Sequence, residues 1–313
     1  MTTPPPAESP AVARRRLRLA LRRAREDKGF TQHQVADEME WSISKVMRIE
    51  SGEVTVSVND TRSLLNYLGV ADTEEVSRLV QSARDARKRE WWDEPQFREH
   101  LPPAMRRLIQ FETEARTIRY FLSMLIPGPL QVPDYAQAVF AAFQTKLPDA
   151  TAEVRREARR RRRRAFLERR DNPAVMLLLD ESVLHRTLGD FGLLATQLYD
   201  LHALATQGRL TIRIIPFTTS TALAMFATFE IYDFSDPDDS SEANDNDAVL
   251  YRESNLLDEL VEDDASVSRH LTEFTDLWNA ALNESTSIQM ILEAAQKAAG
   301  LAGSTTSTSS TPG

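Results

Sequence analysis

The chain has 313 residues, 42% hydrophobic and 27% charged, with 10 glycines and no cysteine. These values suit about two globular domains. They exclude disulfides, thiolate zinc sites and a catalytic thiol, and argue against glycine-built phosphate cradles and hairpin-rich all-β folds. The net charge of −9 hides a division: residues 11–89 carry 16 basic and 12 acidic side chains, whereas from Glu230 to Glu284 there are 17 acidic residues against Arg252 and Arg269. Phosphate attraction acts over a Debye length of about 8 Å, so an acidic average does not exclude a nucleic-acid contact in the first quarter.

Residues 1–10 hold four prolines and no apolar core, and read as a disordered leader rather than a secretory signal. No run reaches the ~18 apolar residues of a membrane span, so no membrane partner and a cytoplasmic location are expected. Leu17, Ala20, Leu21 and Ala24 predict a helix from about Arg14 to Lys28, ended by Gly29. Seven arginines between Arg14 and Arg25 crowd it, and a solvated face and phosphate attraction are both open for them. Thr31 is the expected N-cap of a second helix with Val35, Ala36 and Met39 inward, and Ser42 that of a third with Val46 and Ile49 inward. Leu64, Leu65 and Leu68 mark a fourth helix closing at Gly69, and Val76, Leu79 and Val80 a fifth. Residues 11–90 therefore form a five-helix domain, followed at 91–110 by a connector containing Trp91, Trp92 and several prolines.

Beyond the connector the pattern predicts a helix around Glu112 to Leu125, a turn at Pro127-Gly128-Pro129, a short helix from about Pro133 and an arginine-loaded helix from Thr151 to Arg170. Val175 to Leu179, Leu210 to Ile215, Ala227 to Phe234 and Ala248 to Glu253 are strand candidates, with a helix from Asp190 to Thr206 between the first two. Leu271, Phe274, Trp278 and Ala281 define one C-terminal helix, Ile288, Ile291 and Leu292 another, and 301–313 read as a disordered tail. The expected fold class is mainly α: a five-helix helix-turn-helix domain, then an α/β (α+β) domain at 111–300 with a small sheet and C-terminal helices.

Thr31-Gln32, Val35-Ala36, Met39, Trp41-Ser42, Ser44-Lys45-Val46, Ile49-Glu50 and Gly52 form a two-helix spacing. Ala36 is small where the helices cross, and Val46 and Ile49 plug the third helix into the core. Ile43, Ser44, Met47 and Arg48 are left outward, and Glu50 is placed to orient a basic residue. This constellation resembles the lambda-repressor/Cro-like (XRE) helix-turn-helix family. The resemblance implies that Gln32 and Lys45 contact phosphates of double-stranded DNA, while Ile43, Ser44 and Arg48 approach base edges in the major groove. Where that family has glycine between the helices this chain has Glu40, for which φ > 0 costs roughly a kcal/mol.

Glu112-x-x-Ala115-x-x-Ile118, Pro127-Gly128-Pro129-Leu130-Gln131 before Tyr135-Ala136, Leu179-Asp180-Glu181-x-x-Leu184, Ile214-Ile215-Pro216-Phe217 and the ending from Leu282 to Ile291 are similar to the antitoxin-like companion domain of actinobacterial helix-turn-helix regulators. That resemblance implies no assigned chemistry and a small partner protein from an adjacent gene. Ten arginines between Arg155 and Arg170 are opposed nearby by Glu153, Glu157 and Glu168. They suggest a second nucleic-acid contact or pairing with the acidic stretch from Glu230 to Glu284, and like-charge repulsion along one helix favours the pairing.

The five histidines lack ligand spacing, Asp190-Phe191-Gly192 stands without the other parts of a kinase site, and the acidic run from Asp236 to Asp247 lacks the glycine and terminal glutamate of a calcium loop. Asp180-Glu181 reads as a helix start. No catalytic residue, metal or cofactor is therefore expected. The expected function is a sequence-specific regulator acting as a homodimer, because one such domain contacts too few base pairs. The alternative is a module that sequesters the small partner and binds DNA for autoregulation, with unfamiliar enzyme chemistry in the companion domain as a third reading.

Overall fold

Apolar periodicity and side-chain caps account for most elements of the computed structural model, which describes residues 10–52, 54–143, 148–219, 228–235, 247–252 and 259–307. Two units, 1–94 and 95–313, divide the chain.

The first unit contains α1 (Pro10–Asp27), α2 (Gln32–Glu38), α3 (Ile43–Glu50), α4 (Val58–Tyr67) and α5 (Thr73–Asp85), then a 3-10 turn at Trp91–Asp93. Thr31, Ser42, Ser57 and Asp72 cap α2 to α5 by accepting backbone N–H bonds, which satisfies donors that each first turn would leave orphaned. Leu17 and Leu21 of α1, Val35 and Ala36 of α2, Val46 and Ile49 of α3, Leu64, Leu65 and Leu68 around α4, and Leu79 and Ala83 of α5 form one buried cluster. Pro10, expected in the leader, already starts α1; residues 1–9 lie outside the described residues.

The second unit runs α6 (Pro95–His100), α7 (Pro103–Glu114), β1 (Thr117–Leu122), a 3-10 turn at Gly128–Leu130, α8 (Pro133–Phe143), α9 (Asp149–Glu168) and β2 (Ala174–Asp180). It continues with a 3-10 turn at Glu181–Leu184, α10 (Phe191–Thr206), β3 (Thr211–Ile215), β4 (Phe229–Asp233), β5 (Ala248–Arg252), β6 (Glu259–Val261), α11 (Asp264–Ala280) and α12 (Glu284–Ser307). The strands form one mixed sheet in the order β3-β2-β1-β4-β5-β6. β1, β2 and β3 are parallel, and β4, β5 and β6 add antiparallel strands on the other side of β1. Helical crossovers between β1 and β2 and between β2 and β3 are what parallel neighbours require. Phe121, Leu178, Ile215, Phe229, Ile231 and Leu250 pack with Val267, Phe274, Leu277 and Trp278 of α11 into the core on one sheet face.

Several expectations are corrected. The helix expected around Glu112 to Leu125 is the end of α7 followed by β1, the central strand. Glu112, Ala115 and Ile118 share a helical spacing, but Thr117-Ile118-Arg119-Tyr120-Phe121-Leu122 pairs on both sides with β2 and β4, and that pairing overrides local propensity. Within the expected connector, Pro95 and Pro103 occupy helix starts, where proline's missing N–H is harmless, so α6 and the opening of α7 stand there. Residues 301–307, expected in the tail, continue α12, and Ser304 Oγ donates back to the Gly300 carbonyl at 3.1 Å. The acidic run at 236–246 and the strand-candidate ends Ala227 and Glu253 lie outside the described residues.

Candidate nucleic-acid interface and the arginine helix

The geometry of α2 and α3 follows from the turn between them. Trp41 N–H donates to the Ala36 carbonyl at 2.8 Å and Glu40 N–H to the Asp37 carbonyl at 3.2 Å, the paired closure that ends a helix with one left-handed residue. That residue is Glu40, at φ 53°. Ser42 Oγ then accepts from Lys45 N–H at 3.2 Å and starts α3. Val35, Ala36, Val46 and Ile49 are buried at the crossing, and Met39 packs partly buried against them.

With that side fixed, α3 presents Ile43, Ser44, Met47 and Arg48 to solvent. Ile43 is 42% and Met47 52% exposed, unusual for large apolar side chains on a helix of a packed bundle. The three residues expected to read bases, Ile43, Ser44 and Arg48, thus share one face. Met47, expected outward with them, lies on the same face.

The two residues expected on phosphates have partners within the unit. Gln32 Nε2 donates to Glu50 Oε2 at 2.8 Å. Lys45 Nζ lies 3.6 Å from Asp60 Oδ2 and 3.6 Å from the centre of the Trp41 ring. Glu50 is the hub expected to hold a basic residue: Arg25 of α1 donates to it through Nε at 2.6 Å and Nη2 at 3.0 Å, and through Nη1 to the Phe30 carbonyl at 2.9 Å. Hydrogen bonding to Glu50 holds the Arg25 guanidinium above its ordinary pKa. Arg18 reaches the Glu50 carbonyl at 3.3 Å, and Arg14 the Ala86 carbonyl at 2.7 Å. Arg14, Arg18 and Arg25 therefore staple α1 to the rest of the unit, a use that neither a solvated face nor phosphate attraction had foreseen.

In the second unit, among the described residues, several arginines of α9 find carboxylates outside the stretch from Glu230 to Glu284. Arg156 and Arg160 pair with Glu153, Arg160 and Arg161 with Glu157, and Arg163 with Asp200 of α10. Arg162 and Glu112 of α7 form a two-pronged pair with side chains only 8% and 7% exposed. Burial works against the charge on Arg162, but the Glu112 carboxylate more than offsets it and raises the guanidinium pKa. Within the stretch from Glu230 to Glu284, Glu230 adds its field to Arg162 while accepting from the Tyr232 hydroxyl. The Glu112 and Asp200 partners are set by where the crossover carries α9, next to α7 and α10. A Cβ on Gly128 would stand 3.1 Å from both terminal nitrogens of Arg162, so the glycine of the Pro127-Gly128-Pro129 turn leaves room for that guanidinium.

The carboxylates considered for chemistry act as caps: Asp180 Oδ1 accepts from Ser182 N–H at 2.9 Å and Asp190 Oδ1 from Leu193 N–H at 2.8 Å. Among the described residues no three His, Asp or Glu side chains converge as metal ligands, and no helix is long and apolar enough to cross a membrane.

Residues 16–79 match a family described as a helix-turn-helix domain, and residues 105–293 one described as a domain of unknown function (DUF5753). No curated protein and no solved structure matches the chain. The second match spans more than half of the sequence, and the chain belongs to the DUF5753 family, with a helix-turn-helix domain ahead of that region.

Proposed function

We propose that the chain is a transcriptional regulator of the lambda-repressor/Cro-like (XRE) type that reads an operator with α3 and is controlled through its C-terminal unit. The carrying observation is the face of α3, where Ile43, Ser44, Met47 and Arg48 point outward from a helix whose other side is locked into the core. In this reading Arg48 and Ser44 make polar contacts to base edges, and Ile43 an apolar one of the kind a thymine methyl accepts. Gln32 and Lys45 hold the phosphate backbone on either side, and their contacts to Glu50 and Asp60 fix where those donors stand. Two copies bind half-sites about 34 Å apart, which supplies the specificity that one short helix lacks.

The test is selection of bound fragments from genomic DNA by the purified chain at moderate salt, with Arg48→Ala and Gln32→Ala in parallel. An inverted-repeat motif is expected. Arg48→Ala costs about 1–3 kcal/mol at the preferred site and relaxes one position, whereas Gln32→Ala weakens all sequences alike. Enrichment of no motif refutes the regulator reading, and a sequence-selective loss in Gln32→Ala refutes its phosphate role.

A further inference from the structure

A groove of about 370 Å³ lies between α8 and α9, within the ~300–1,000 Å³ range of small-molecule sites. Five of its lining residues are Arg156, Arg159, Arg160, Arg163 and Arg164, spaced i, i+3, i+4, i+7 and i+8, which is one stripe of α9. Leu167 continues the stripe and is 40% exposed, and the facing wall includes Pro133, Ala136 and Gln137 of α8, which carry no charge.

Several of these cations are held in position. Arg156 and Arg159 stack over the Phe140 ring at 5.6 and 6.0 Å. Arg159 Nη1 donates to Gln131 Oε1 at 3.1 Å, and buried Gln131 is itself tied by Nε2 to the Ile126 carbonyl at 2.8 Å. Arg163 Nη2 donates to Asp200 Oδ1 at 2.7 Å. Glu168 is the one carboxylate among the lining residues against these five guanidiniums, so an anion in the groove lowers the repulsion within the cationic stripe. Duplex DNA would lay its phosphates along the exposed ridge rather than in the groove, and a bare anion would leave the apolar wall and Leu167 open to water.

We propose that this groove binds a small organic anion: a carboxylate or phosphate head, taken by the guanidiniums in their two-pronged geometry, on a flat apolar body lying along Pro133, Ala136 and Leu167. Its regulatory meaning rests on the control reading above, since such a ligand is what the C-terminal unit would sense.

The test uses the full chain and isothermal titration calorimetry with 1-naphthyl phosphate and 1-naphthoate as probes, and 1-naphthol and inorganic phosphate as partial ligands. At least one naphthyl anion is expected to bind, at least about tenfold more tightly than either partial ligand, and competition between the two identifies the preferred head. Gln137→Trp fills the groove without altering a charge, and Arg159→Gln/Arg164→Gln removes two cations; each is expected to weaken binding at least about tenfold with helical circular dichroism unchanged. The site is overturned by no binding at about 1 mM, by equal affinity for 1-naphthol, by full affinity in Gln137→Trp, or by displacement of the probes by random-sequence duplex DNA. Operator retention is read in the same samples. Anion binding without a change in retention upholds the site and defeats the control reading; normal retention with no anion binding defeats the site and leaves DNA binding intact.

Discussion

Replacing Glu40 by glycine should stabilise the first unit. Gly29, Gly69 and Gly208 sit at φ 68°, 71° and 69° in the same closure that Glu40 completes at φ 53°, so α2 is the helix that ends this way without glycine among these four. An L residue in the left-handed region costs about 1–2 kcal/mol, and glycine returns about 0.4–1 kcal/mol of that through the greater freedom of the unfolded chain. The net gain is about 0.5–1 kcal/mol, or roughly 2–8 °C in the melting temperature of a unit this size. Amide exchange of peptides from α1 to α4, followed against urea in the full chain, measures it without interference from the second unit. Glu40→Ala is the control, because it removes the carboxylate and keeps the Cβ. Equal gains in the alanine and glycine variants would show that charge, not backbone conformation, was the source, and a glycine variant less stable than the parent would refute the reasoning outright.

Arg25→Lys keeps the charge facing Glu50 but loses the fork, and should cost about 1–2 kcal/mol in the same exchange experiment. Glu112→Gln leaves the Arg162 charge buried without its counter-charge and should cost about 3–5 kcal/mol in urea unfolding followed by exchange in α9. Gly128→Ala pushes a methyl against the same guanidinium, with an expected loss of about 1–3 kcal/mol; a neutral result would mean that the turn shifts freely. Burial pushes the Tyr135 phenol up to about 12 and those of Tyr120 and Tyr232 well above the usual value of 10.0. The folded state favours the protonated phenols, so this contribution is complete below pH 10.0 and is lost as pH rises towards 12. Phenolate absorbance should accordingly rise in two stages, the later one accompanying unfolding of the second unit, and Tyr135→Phe should remove part of the later stage.

How far the molecule could be read in advance depended on whether a feature was local. Thr31, Ser42, Gly29 and Gly69 mark helix ends that backbone chemistry alone decides, and the first unit matched that reading. The outward face of α3 was legible for the same reason, since Val46 and Ile49 settle which side is buried. The positive φ of Glu40 was legible as well, as a conflict between residue type and position. β1 was not, because a central strand is chosen by its partners, and Thr117 pairs with Ala174 on one side and Asp233 on the other. The arginine partners divide in the same way: Glu153 and Glu157 stand at helical spacing from Arg156, Arg160 and Arg161, whereas Glu112 meets Arg162 only after the crossover has folded back. The groove along α9 depended on placing α8 beside it, which no pattern within either helix specifies.

The position of β1 also sets a timetable for synthesis. The buried cluster of the first unit is drawn from its own helices, so that unit can fold once its own segment has left the ribosome. The antiparallel neighbour of β1 ends at Asp233, more than a hundred residues after β1 begins, and at about 5–20 residues per second the nascent chain spends several seconds with β1 lacking that neighbour. During that interval the first unit is already complete while the second is not. A chain truncated within that window would carry a folded first unit and, in the second, a β1 edge left unpaired and prone to aggregate.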